Sequence, residues 1–90
     1  MTTVEIPAAL RRYIGGRGAI ELTARTPQDV LDELENLYPQ LYQCVCNETG
    51  SVRPHVNLFV NSTLIRTELD FAKPLESGDV IGIFQAVSGG

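Results

Sequence analysis

Between Thr26 and Leu41 the chain carries one amphipathic helical stretch, and on both sides of it the apolar residues alternate instead. No other feature limits the fold so strongly: a single helix among strands must cover its apolar stripe with a sheet. Thr26-Pro27-Gln28-Asp29 marks the start. Thr26 can cap the free amides, Pro27 suits the first helical position, and Asp29 sits near the positive end of the helix dipole. Val30, Leu31, Leu34, Leu37, Tyr38 and Leu41 then fall on one face, with Asp32, Glu33, Glu35 and Asn36 on the other. Pro39 ends the regular run near Tyr38. Residues 41–45 suggest one further short turn of helix.

The alternating segments supply the sheet. Residues 3–6 turn Val4 and Ile6 to one side, and residues 19–24 do the same with Ile20 and Leu22. Gly15-Gly16-Arg17-Gly18 lies between them and predicts a hairpin turn, while Pro7 ends the ladder of the first strand or places that strand at an edge, and Leu10 still reaches the core. That glycine-rich turn opens onto a strand rather than a helix N-terminus, which disfavours a phosphate cradle. After the helix, residues 47–54 read as a loop. Residues 55–61 give the clearest strand, with Val56, Leu58 and Val60 on one face and Asn57, Phe59 and Asn61 on the other. Asn61-Ser62 makes a turn, residues 63–66 a short strand and residues 71–79 a connection. The last strand, 80–85, sets Ile81 and Ile83 opposite Phe84. This order predicts an α+β protein, a mixed sheet of four to five strands with one main helix packed across it, and a right-handed crossover brings the last strand beside the first. It matches a ubiquitin-like β-grasp, with residues 1–86 as the domain and 87–90 as a flexible tail.

Charge and cysteine use narrow the chemistry. The formal net charge is -4; residues 1–26 hold four arginines against two glutamates, and residues 27–90 hold three bases against nine acids. Phosphate-backbone binding depends on a basic stripe, so nucleic acid is not an expected partner. No apolar run approaches the roughly 18 residues of a membrane span. The opening MTTVEIPAALRR lacks the charged start and apolar stretch of a signal peptide, so the expectation is a cytoplasmic protein with no membrane partner. Cys44 and Cys46, even with His55, do not fill a four-ligand zinc site, and no metal is expected. They read as reduced thiols, one of them packed in the core. His55, after Pro54, reads as an ordinary strand-end histidine, and Tyr13, Tyr38 and Tyr42 as packing residues.

The sequence closes on Gln85-Ala86-Val87-Ser88-Gly89-Gly90. Asp79-Val80-Ile81-Gly82-Ile83-Phe84 leading into Val87-Ser88-Gly89-Gly90, together with Val60-Asn61 before a short strand, resembles the ThiS/MoaD family of sulfur carriers. Ile6-Pro7 through Leu10-Arg11, the Gly15-Gly16 turn and Val56–Val60 with Asn61 are most similar to its CysO-type branch, which serves cysteine biosynthesis. The resemblance implies a protein-bound sulfur donor rather than an enzyme. A MoeB/ThiF-type, E1-like adenylyltransferase using ATP and Mg²⁺ adenylates the Gly90 carboxylate. Sulfur from a rhodanese or a cysteine desulfurase then makes the thiocarboxylate, and a downstream synthase accepts it. The carrier itself binds no cofactor. Gly90 is the reacting residue, and Gly89, lacking a Cβ, clears space beside it. Phe59 and Phe84 are candidate exposed anchors for partners, with Leu64, Pro7, Val87 and Ser88 as further contacts. Cysteine or a related thiol is the first expected product and molybdopterin the second. The alternative from another class is a ubiquitin-like modifier joined through Gly90 to target lysines; a third is an interaction module whose tail is fortuitous.

Overall fold

A computed structural model describes residues 1–85 of the chain. The expected hairpin pairs β1 (Thr2–Glu5) antiparallel to β2 (Ala19–Leu22), Val4 opposite Ile20. The connection is more than a glycine turn. Residues Ala8–Ile14 form a 3-10 helix that buries Leu10 and Ile14 and ends on Gly15, whose φ of 70° closes the helix at little steric cost. Pro7, already extended at φ -66°, leads into it.

The helix start is as the sequence predicts. Thr26 Oγ1 accepts from the Asp29 amide at 3.1 Å, and α1 (Pro27–Leu37) buries Pro27, Val30, Leu31 and Leu34. Leu37 is a correction: it is the last residue of α1 and 57% exposed, with no further turn of that helix beside it, since Tyr38 leaves the helical region (φ -136°, ψ 64°) and resets the phase before α2 (Pro39–Val45). Leu41 therefore reaches the core from α2, together with Val45.

Three strands complete the sheet: β3 (Val56–Val60), β4 (Thr63–Ile65) and β5 (Val80–Gln85). A further short helix, α3 (Glu68–Ala72), starts in residues that the sequence leaves unassigned and runs into the connection expected over 71–79. The strand order is β2-β1-β5-β3-β4, with β5 parallel to β1 and antiparallel to β3. The last strand is thus the central one, and the sheet has the β-grasp arrangement. Its inner face, with Val4, Ile20, Leu22, Val56, Leu58, Ile81 and Ile83, packs against α1 and α2 to form one core. Asn61 follows β3 at φ 55°, and its side chain ties the β3–β4 turn to the start of β5: Oδ1 accepts from the Val80 amide and Nδ2 donates to Asp79, both at 3.1 Å. The Asp79 carboxylate also accepts from the Glu76 amide; that bond first, and the Asn61 bond second, hold its pKa below the usual carboxylate range.

Candidate functional site

The outer face of the sheet carries what the inner face does not need. Ladder register puts Glu5, Gly82, Phe59 and Leu64 in one row running across β1, β5, β3 and β4. In the next row Phe84 stands opposite Asn57, and the β1–β5 register carried two residues beyond Glu5 brings Pro7 level with Phe84. Pro7, Phe59, Leu64 and Phe84 are therefore gathered on the same face, around the end of the strand that leads into residue 86.

Phe84 is 52% exposed and Leu64 37%. Phe59 differs from the expectation of an exposed anchor, being half-buried. Its neighbours across the ladder explain this: Gly82 on one side leaves room, Leu64 lies on the other, and the Phe84 ring meets Phe59 edge to face at 5.3 Å and 89°. Gly82 makes that geometry possible, since a Cβ there would stand 2.9 Å from Phe84 Cε2. Sequence alternation gave the faces of Phe59 and Phe84; their contact across two strands depends on register. The glycine under the ring was the available signal, an open patch in an otherwise filled strand. Val87, Ser88, Gly89 and Gly90 lie outside the described residues.

A second concavity, about 720 Å³, opens between α2 and the loop after it, lined by Glu35, Tyr42, Cys46, Asn47, Gly50 and Arg53 among others. Its chemistry is quiet. Burial pushes the Cys46 thiol up to about 11, against the opposing pull of the Tyr42 hydrogen bond and Arg53. Burial likewise raises Tyr42, with Cys46 adding to the effect. Both groups stay protonated at neutral pH, so the groove offers no thiolate. Cys46 is the core thiol the sequence suggests, and Cys44 is half-buried. His55 is exposed just before β3. Among the described residues no group of three or more His, Cys, Asp or Glu side chains is placed to hold a metal ion, and no helix is long and apolar enough to cross a membrane.

Known proteins resemble the chain along nearly its whole length. The model of the ThiS family matches residues 4–90. The sulfur carrier protein CysO of Mycobacterium tuberculosis is 30% identical over 90 residues, covering 98% of this chain and 97% of that protein. Among solved structures, a chain of the Amycolatopsis orientalis BexX/CysO complex superposes with a TM-score of 0.86 at 27% identity, covering 100% of both chains. Small archaeal modifier protein 1 of Methanosarcina acetivorans gives 0.79 at 28% identity, over 99% of this chain and 95% of that one.

Proposed function

The chain belongs to the ThiS family, and from that premise we propose that it carries sulfur as a thiocarboxylate on Gly90 and delivers it for biosynthesis of a small metabolite, cysteine or a related thiol first. The observation that carries this reading is the apolar outer patch of Phe59, Leu64, Phe84 and Pro7, spread over two neighbouring rows near the end of the strand that leads toward the Gly-Gly terminus. A carboxylate is a poor electrophile. Its oxygen must first attack the α-phosphorus of ATP and expel pyrophosphate, which a partner adenylyltransferase with Mg²⁺ accomplishes. Hydrosulfide then attacks the acyl carbon, AMP departs with the electrons of the C–O bond, and the proton goes to solvent. The product is an ionised, nucleophilic sulfur on the protein.

The carrier supplies no base or acid to these steps. Its work is to be recognised and to insert a narrow end: a Cβ at residue 90 would crowd the line of attack, and Gly89 extends the clearance. Ordering the last four residues costs about 4–8 kcal/mol at roughly 1–2 per residue, so contacts of the tail need support from the folded face. Phe84 and its neighbours provide it. The protein then acts as co-substrate of its partners rather than as a catalyst.

Intact mass spectrometry tests this. Incubated with a ThiF/MoeB-type adenylyltransferase of the same genome, ATP, Mg²⁺ and sulfide, the chain is expected to gain the mass difference between one sulfur and one oxygen. No gain, together with adducts joining Gly90 to lysines of other proteins, would overturn carriage and favour the modifier reading, for which the likeness to small archaeal modifier protein 1 is the supporting observation.

A further inference from the structure

Residues 6–20 contain Arg11, Arg12 and Arg17 and no acidic residue, in a chain of net charge -4, so the rest of the molecule carries -7. The fold gathers these three arginines at one end. Because Glu5 pairs in parallel with Gly82, the chain leaves β1 beside Phe84 and enters the 3-10 helix there. The Ile6 amide donates to the Gly18 carbonyl at 2.9 Å, which returns the Arg17 turn to the same end. All three arginines are exposed, at the end of the sheet where β1 and β5 finish.

These side chains are held. Arg11 Nε donates to the Ile6 carbonyl at 2.9 Å, and its guanidinium lies over Gly18, where a Cβ would be 3.5 Å from Cζ. Arg17 Nε donates to the Ile14 carbonyl at 3.1 Å and Nη2 to the Tyr38 hydroxyl at 3.2 Å. Arg12 rests over the Tyr13 ring, 5.0 Å from its centroid. An arginine that only keeps a surface wetted gains nothing from being fixed, whereas one that must bind loses less rotamer freedom if it is fixed beforehand. Arginine is also one of the residues enriched at protein interfaces.

We propose that this basic lobe guides docking by meeting a cluster of carboxylates on the enzyme that activates Gly90, placed beside that enzyme's seat for Phe84; the inference rests on the activation reading above. A protein surface fits better than a polyanion. Carboxylates confined to a patch see only the lobe, while an extended phosphate backbone would run on into the acidic remainder of the molecule.

Stopped-flow association with the same adenylyltransferase, from low to high NaCl, tests the lobe. Wild-type kon should fall steeply with salt. The variant Arg11→Gln, Arg12→Gln, Arg17→Gln should lose about tenfold or more in kon at low salt and show a flat salt response, and the loss of the guanidinium forks should raise koff as well. Arg25→Gln with Lys73→Gln, at the other end of the sheet, should leave kon within about twofold, because steering depends on where the charge lies. Should the glutamine variant not fold, Arg11→Lys, Arg12→Lys, Arg17→Lys takes its place: kept charge should preserve kon while the lost forks raise koff. Unchanged kon and salt slope in the folded glutamine variant, or unchanged koff in the lysine variant used in its place, overturns the lobe and leaves the activation reading standing. Absence of any wild-type binding overturns both. A single-stranded RNA that displaces the enzyme at the same salt overturns the carboxylate partner in favour of a polyanion.

Discussion

The position of the Phe84 ring depends on a side chain that is missing two residues earlier. With no Cβ on Gly82, the Phe84 ring lies back over the sheet and meets Phe59 edge on, an arrangement worth about 0.5–1.5 kcal/mol beyond its buried area. The ring remains half in water, so it is oriented without being consumed by the core. Phe84→Ala should therefore cost the fold only about 1 kcal/mol. Binding should suffer more. Loss of a central aromatic anchor predicts a Kd for the adenylyltransferase raised about tenfold or more, by calorimetry on a variant whose urea transition is retained. A wild-type Kd in that variant would remove the anchor role. Partial burial of Phe59 follows from the same contact, and alternation along one strand has no means of revealing it, since it arises from a neighbour 25 positions away.

At the scale of elements, local signals were legible and remote ones were not. The start of α1 is written in four consecutive residues, Thr26 to Asp29, and the capping bond is there. The helix α3 also had its signal, Thr67 and Asp70 forming a capping box, with Asp70 Oδ2 accepting from the Thr67 amide at 3.1 Å. It went unread because five residues with none fully buried produce no apolar period. The 3-10 helix was missed for a different reason: no side-chain cap announces it, and Pro7 followed by a glycine turn resembles a plain hairpin. Asn61 shows the remote case. Its turn was legible, yet its bonds reach Asp79 and Val80, 18 and 19 residues on. Asn61→Ala should destabilise the fold by about 1–2 kcal/mol, combining strain at positive φ with lost side-chain bonds. Asn61→Gly, which keeps the φ without strain, should cost less; equal urea midpoints for the two variants would show that the backbone conformation contributes nothing.

For the molecule as a whole, the outer face, the basic lobe and the finish of β5 meet at one end, while the acidic clasp of Asp79 and the start of α1 occupy the other. That the last strand lies beside the first was legible because one rule, the right-handed crossover, left few ways to place it. The terminal glycines were legible only as chemistry, through the resemblance, and Val87, Ser88, Gly89 and Gly90 stand outside the described residues. A chain stopped after Gln85 should keep a cooperative thermal transition by circular dichroism, since every ladder pair is present; one stopped after Ile81 should lose it. Survival of that transition in the shorter chain would show that the two hairpins do not need the rest of β5.

The central place of β5 has a consequence for how the protein is made. A ribosome releases β1, β2, β3 and β4 before the strand that joins them, and a two-stranded hairpin alone is marginal in water. Until the final segment emerges there are two half-sheets with open edges and no shared core between them. On the activation reading proposed above, a chain stopped before β5 would lack Phe84 and the face around it, and an enzyme that selects that face would spend no ATP on it.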